Sequence, residues 1–133
     1  MFKFSKKDIY ETDAATIIGK GMRIEANLLS GSGIVKIEGE YYGEVYIDGE
    51  LILEKSGCIN GNIKVKIAYI SGSITGNIKC SDLLHITSTG KITGDIESSA
   101  ILMDEGAIFI GYSRMSERLN ERDADDPLGL GLG

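Results

Sequence analysis

The sequence predicts an all-β fold, a right-handed parallel β-helix with three faces and about six coils. A short motif recurs at nearly constant spacing, apolar residues alternate with polar ones inside each repeat, and most of the 18 glycines fall at fixed offsets. A fixed period of this kind is the signature of stacked β-coils. The right-handed form is favoured because left-handed β-helices carry an aliphatic residue at every sixth position. We expect a quasi-one-dimensional protein in which each coil contacts only its neighbours.

The recurring motif is an apolar residue followed two positions later by a small residue, in most copies glycine. Its steps along the chain are 17, 18, 15, 18 and 17 residues. The copies are Ile24-Glu25-Ala26, Tyr41-Tyr42-Gly43, Ile59-Asn60-Gly61, Ile74-Thr75-Gly76, Ile92-Thr93-Gly94 and Phe109-Ile110-Gly111. The glycines indicate corners between short strands.

Two further alternating segments complete each predicted coil. The second segment comprises Val45-Tyr46-Ile47, Val65-Lys66-Ile67, Ile78-Lys79-Cys80 and Ile96-Glu97-Ser98. The third comprises Val35-Lys36-Ile37, Leu51-Ile52-Leu53, Ala68-Tyr69-Ile70, Leu84-His85-Ile86 and Ile101-Leu102-Met103. Alternation places Ile59, Ile63 and Val65 inside, and Lys64 and Lys79 outside. Since no helical crossover separates these segments, each is expected to pair in parallel with its counterpart one coil away.

Composition limits the domain organisation and the classes of function. The predicted domains are a flexible tail at 1–15, the β-helix at 16–112 and a flexible tail at 113–133. The net charge of −6 argues against binding nucleic acid. Two cysteines make neither a disulfide framework nor a zinc site, and no apolar run is long enough to span a membrane. We therefore expect an intracellular protein that needs no cofactor.

Three motifs in order resemble the bactofilins, a bacterial family of polymer-forming cytoskeletal proteins. The chain opens the repeat with T-x-I-G-x-G-x-x-I-E from Thr16 to Glu25, continues with the I-x-G coils, and closes with G-A-x-F-x-G from Gly106 to Gly111 followed by Arg114-Met115. The resemblance covers residues 16–115. It departs from the family pattern at Ala26, where glycine is expected, and at Tyr41-Tyr42 in place of an aliphatic start.

The resemblance implies a scaffold that polymerises end to end into non-polar filaments without nucleotide. Phe109 lies at the position of the aromatic residue that serves the end contact in the family, and apolar residues of the first and last coils complete the predicted interface: Ile18, Ile24, Ile108 and Ile110. The start of the chain is similar to the family's membrane-targeting peptide through Met1, Phe2, Lys3, Phe4, Lys6 and Lys7. The implied partners are further copies of the chain, the inner face of the cytoplasmic membrane, and cell-envelope or morphogenesis proteins.

The outward side chains leave two alternatives open. Ile52, Tyr69, His85 and Leu102 occupy equivalent positions on consecutive coils and form a stripe, which serves either as a lateral contact or as a surface covered by a tail. His85 is the only histidine, and a lone histidine is the catalytic base of β-helical acyltransferases. A trimeric acyltransferase-like enzyme using His85 is therefore the alternative function. Because alternation places His85 outside with no carboxylate partner fixed by the sequence, we interpret it as a surface residue.

Overall fold

A computed structural model describes residues 16–115, and every regular element within this range is a β-strand. The strands are β1 (Thr16–Ile18), β2 (Arg23–Ile37), β3 (Glu40–Leu53), β4 (Cys58–Asn60), β5 (Ile63–Ile70), β6 (Ser73–Thr75), β7 (Ile78–Ile86), β8 (Lys91–Thr93), β9 (Ile96–Ser98), β10 (Ile101–Met103), β11 (Ile108–Ile110) and β12 (Ser113–Met115). Among the longer strands, β2 and β3 continue around two corners of the coil, and β5 and β7 around one.

Each strand pairs in parallel with its equivalent one coil away, which confirms the predicted fold class. The motif column runs Ile24, Tyr41, Ile59, Ile74, Ile92 and Phe109 in successive register pairs. Six coils result, each with three faces. Face 1 holds 23–25, 40–42, β4, β6, β8 and β11. Face 2 holds 28–31, 45–47, 63–65, 78–80, β9 and β12. Face 3 holds β1, 35–37, 51–53, 68–70, 84–86 and β10.

The core is the stack of inward side chains along the helix axis. Ile59, Ile74 and Ile92 are at most 1% exposed, and the burial of each contributes about 1.5–3 kcal/mol. Tyr41 occupies the same column and is also fully buried. Its hydroxyl donates a hydrogen bond of 2.8 Å to the carbonyl oxygen of Glu44, so an aromatic residue is accommodated here without an unsatisfied polar group.

The corner between faces 1 and 2 depends on glycine and on amide side chains. Gly76 has φ of +143°, and a Cβ there would fall within 3.0 Å of the carbonyl oxygen of Gly61 in the previous coil. The residues after Gly61 and Gly76 satisfy the backbone of the next coil: Asn62 Oδ1 accepts from Asn77 N at 3.2 Å, and Asn77 Oδ1 accepts from Asp95 N at 3.0 Å. Coils therefore approach closely at this corner.

Two details of the sequence interpretation need correction. Val65-Lys66-Ile67 is not the counterpart of Val45-Tyr46-Ile47, because Val45 pairs with Ile63 and Val65 pairs with Cys80. The segment equivalent to Val45-Tyr46-Ile47 is therefore 63–65, which begins two residues earlier than predicted. The coils also continue past the predicted limit of residue 112, since Ser113–Met115 pairs with Ile96–Ser98. That final strand completes the sixth coil.

Candidate polymerisation interface

Among residues 16–115, no coil covers the core at the C-terminal end of the solenoid. Phe109 stacks on Ile92, which is fully buried, but no described coil lies on its other side and it is only half-buried. Met103 and Met115 are 43% and 57% exposed, although their counterparts one coil earlier, Ile86 and Ser98, are fully buried. The last coil thus presents an apolar end surface.

The strand β11 is apolar on both of its sides. Ile108 and Ile110 pair with Lys91 and Thr93, so their side chains point outward from face 1 and are 48% and 55% exposed. The prediction placed both at the end contact with Phe109. They lie on either side of Phe109 on the outer surface of the last coil and are not part of the core column.

The N-terminal end has a different character. Ile24 is half-buried against the core, and Ile18 is only 5% exposed, so Ile18 offers little surface for an end contact. On the outer side of the same coil, Arg23 Nε lies 3.0 Å from Glu25 Oε2, and the Arg23 guanidinium lies 4.4 Å from the centroid of the Tyr42 ring. The outer surface of face 1 is therefore charged at this end and apolar at the other.

One ion pair flanks the apolar C-terminal end on face 2. Arg114 Nη2 donates to Glu97 Oε1 at 3.0 Å, joining the last two coils. This hydrogen bond lowers the pKa of the Glu97 carboxyl, against a smaller opposing effect of desolvation. Both side chains lie outward, so the pair leaves the core surface itself without charge.

The predicted lateral stripe occupies consecutive positions of one column on face 3. Ile52 pairs with Tyr69, Tyr69 with His85, and His85 with Leu102. The first three are half-buried by their neighbours, and Leu102 is 50% exposed. The register is as expected from the sequence, whereas the role of the stripe as a lateral contact stays a prediction.

His85 has a carboxylate partner that the sequence did not indicate. Its Nε2 lies 3.0 Å from Oδ1 of Asp104, and its ring meets the Tyr69 ring edge-on with centroids 6.0 Å apart. Asp104 belongs to the next coil, 19 residues later, so only the coil register brings the two together. The arrangement joins neighbouring coils on an outer face.

The two cysteines differ in environment. Cys80 lies in the core column between Val65 and Ser98, and burial raises the pKa of its thiol to about 12. Cys58 points outward beside a corner and is half-buried, and desolvation raises the pKa of its thiol as well. Neither environment favours a reactive thiolate.

The predicted membrane-targeting residues, Met1, Phe2, Lys3, Phe4, Lys6 and Lys7, lie outside the described residues. Within residues 16–115 there is no helix that could cross a membrane. A membrane role for the first residues of the chain therefore depends on the sequence alone.

Comparison with known proteins identifies the class to which this solenoid with an uncovered apolar end belongs. Residues 16–114 match the family described as "Bactofilin: Polymer-forming cytoskeletal". BacP of Myxococcus xanthus is 31% identical over 102 residues, and BacO of the same organism is 33% identical over 98 residues. The chain belongs to the bactofilin family. The matches cover 77% and 74% of this chain, but only 42% of BacP against 77% of BacO.

Two solved bactofilins have the same fold. The double helical filaments of the Thermus thermophilus bactofilin match with a TM-score of 0.70 at 23% identity, covering 76% of this chain and 99% of that one. The bactofilin BacA, solved by solid-state NMR, matches with a TM-score of 0.66 at 24% identity, and the match covers 78% of this chain and 98% of the BacA chain. At this level of identity the similarity establishes the fold.

Family membership decides between the two functions left open by the sequence. Bactofilins are structural proteins of the cytoskeleton and not enzymes. The alternative of an acyltransferase-like enzyme using His85 is therefore not supported. The contact between His85 and Asp104 is interpreted as a link between coils.

Proposed function

We propose that this protein assembles end to end into non-polar filaments without nucleotide, and that these filaments lie against the inner face of the cytoplasmic membrane. There they organise cell shape or localise envelope and morphogenesis proteins. The observation that carries the proposal is the uncovered last coil, with Met103, Phe109 and Met115 exposed or half-buried where their counterparts are buried. An edge strand with unpaired N–H and C=O groups is a template for another chain.

Burial of this end surface supplies the driving force for polymerisation. The apolar side chains lose contact with water only when a second subunit covers them, and this transfer is favourable in proportion to the area removed. Burial of apolar surface proceeds without nucleotide hydrolysis. If like ends meet, each contact is isologous and the filament has no polarity.

Membrane association is proposed from the first residues of the chain. Met1, Phe2 and Phe4 supply apolar groups, and each lysine near anionic lipid contributes about 1 kcal/mol. One peptide of this length binds only weakly and reversibly. A filament presents many copies at high effective concentration, so polymerisation strengthens binding without any new contact.

Two measurements test the proposal. Purified protein, freed of nucleotide, should form filaments in negative-stain electron microscopy, and compact particles only would refute polymerisation. In a flotation gradient with anionic vesicles, the full-length protein should rise with the lipid, and a variant lacking residues 1–8 should stay at the bottom, where filaments without lipid collect. Equal binding by the two proteins would refute the membrane anchor while leaving the filament proposal intact.

A further inference from the structure

Face 3 carries a second outward column beside the predicted stripe. Its members in register are Ile34, Glu50, Ile67 and Leu83. Ile34 is 38% exposed, and Ile67 and Leu83 are half-buried. In the central coils the outward positions of faces 1 and 2 hold no aliphatic side chain, as in Cys58, Asn60, Ser73, Thr75, Lys64 and Lys79. The two outward columns of face 3 therefore form an apolar surface that the other two faces lack in these coils.

The same surface carries uncompensated negative charge. Its two nitrogen-bearing side chains already pair with carboxylates of the next coil, Lys36 with Glu54 at 3.4 Å and His85 with Asp104 at 3.0 Å. Glu38 and Glu50, on the same face, have no cationic partner among residues 16–115. A ligand that fits face 3 must therefore be both apolar and positively charged.

Face 3 is too small for a stable contact with a second subunit. Five coil steps separate Ile17 from Leu102, which gives a length of about 24 Å, and a strand of three residues gives a width of about 10 Å. The product, about 240 Å², is far below the roughly 800 Å² that each partner buries in a specific interface. A peptide attached to the same chain needs much less area, because its effective concentration at the surface is about millimolar.

We infer that face 3 binds the N-terminal segment of this chain, residues 1–7, which lies outside the described residues. The segment combines three apolar residues with three lysines: Met1, Phe2, Phe4, Lys3, Lys6 and Lys7. The apolar side chains pack on the two outward columns, and the lysines lie near the carboxylates of Glu38 and Glu50. Composition and charge are thus complementary to those of face 3.

The connection to the first strand places this site within reach. Thr16 begins β1, which lies on face 3 and pairs with residues 35–37. Residues 8–15 span up to about 26 Å when they are extended, at about 3.3 Å per residue. This length exceeds the length of the face. Residues 1–7 therefore reach any coil of face 3 without a change in the solenoid.

Binding to face 3 competes with lipid for the same side chains, a consequence that rests on the proposed membrane association. Apolar groups packed on the solenoid cannot enter a bilayer at the same time, so the two bound states exclude each other. The apparent affinity for lipid falls in proportion to the fraction of chains in which the segment is free. Face 3 therefore restrains a single subunit from the membrane, and the many anchors of a filament overcome this restraint.

Disulfide formation within one chain tests the docking itself. Phe4→Cys is combined with Tyr69→Cys in the full-length protein on a Cys58→Ser background, and the buried Cys80 is kept. Oxidation with diamide, below the concentration at which filaments sediment, should give an internally linked monomer at a rate that does not depend on dilution. The matched control combines Phe4→Cys with Asn60→Cys, an exposed position on face 1 of the same coil, and should react at least tenfold more slowly.

Two results of this experiment would overturn the docking. Equal rates for the two pairs would show that the segment has no preference for face 3. Covalent dimers of a variant that carries Tyr69→Cys without Phe4→Cys would show that face 3 contacts a second subunit instead. Either result leaves the filament and the membrane anchor to be judged by their own measurements.

A charge-neutral change of face 3 tests the competition with lipid. Ile52→Ser combined with Tyr69→Ser removes apolar contacts without adding attraction for anionic lipid. In the flotation gradient this variant should need less lipid for half-maximal binding, by about tenfold if the docked state holds nine chains in ten. Tyr46→Ser, at a 46% exposed position on face 2, should leave the lipid requirement unchanged. Circular dichroism and sedimentation without lipid check that both variants fold and polymerise as the unmodified protein does.

The same double substitution in a variant lacking residues 1–8 completes the test, and this protein should stay at the bottom of the gradient. Its flotation would show that face 3 acts on lipid by itself, which would overturn the competition. An unchanged lipid requirement in the full-length double variant would overturn it as well. Failure of the unmodified protein to float would refute the membrane anchor, whereas the internal cross-link would still decide whether face 3 binds the segment.

Discussion

Replacement of Phe109 by arginine tests the end contact at the last member of the motif column. Burying a phenylalanine side chain contributes about 1.5–3 kcal/mol, and an isologous joint contains two copies, so about 3–6 kcal/mol per joint is affected. Since Phe109 is already half-buried within the subunit, the joint buries only about a third of each side chain, and the loss of burial is about 1–2 kcal/mol per joint. At about 1.4 kcal/mol for each factor of ten, the association constant should fall about 5–30-fold from lost burial alone. The cost of desolvating two guanidinium groups in an isologous joint adds to this loss.

The assay is sedimentation over a concentration series, with circular dichroism to confirm that the variant is folded. Phe109→Leu should retain most of the pelleting because it keeps an apolar group in the column. Thr75→Arg places the same charge on the exposed outer surface of a central coil and should pellet as the unmodified protein does. The reasoning is refuted if Phe109→Arg forms filaments at the concentration that the unmodified protein requires.

The remaining predictions concern the solenoid itself. Ile74→Asp should lower the midpoint of chemical denaturation strongly or abolish the folded state, because an unpaired carboxylate at a 1% exposed position costs about 3–5 kcal/mol and the lost burial about 1.5–3 kcal/mol more, against a typical stability of about 5–15 kcal/mol. Lys64→Asp, facing outward, should unfold at an unchanged midpoint, and equal damage would contradict the inward–outward assignment. Gly76→Ala should lower the free energy of unfolding by about 1–3 kcal/mol through backbone strain and overlap with the previous coil, whereas Gly31→Ala, with nothing within 4 Å, should change it little. At pH 8 the half-buried Cys58 should react with a disulfide reagent in the native protein, slowly because desolvation raises its pKa, whereas Cys80 should react only after unfolding, because burial raises its pKa to about 12. Two native reactive thiols would show that the core column is open.

The fold could be predicted because its chemistry repeats. An isoleucine or its equivalent returns at each coil, so the column through Ile59, Ile74 and Ile92 could be placed from spacing alone, and the structure confirms it. The prediction erred where the spacing changed. In the coil between Ile59 and Ile74, the corner after Val65 is one residue shorter than the equivalent corner after Cys80, because Val65 pairs with Cys80 and Ala68 with Leu84. Alternation of apolar and polar residues does not show where such a shortened corner lies.

The candidate site was predicted in part. Phe109 follows from its column, and Ile101 and Met103 could have been added from theirs, since the last member of each inward column must be uncovered. The outward direction of Ile108 and Ile110 also follows from alternation with Phe109. Because all three residues are apolar, however, their composition does not show which of them point into the core. The contact between His85 and Asp104 could not be predicted, because it depends on rotamers across two coils.

The ladder that holds the coils together also constrains how the protein folds. Tyr41 and Ile59 are 18 residues apart, and Ile59 and Ile74 are 15 apart, so each added coil closes a loop of nearly the same small size. Such a chain is free to start folding at any coil and to extend one layer at a time. Within residues 16–115 the sixth coil is the last layer of this extension. If a second subunit docks there as proposed, the edge at which the fold ends is also the edge from which the filament grows.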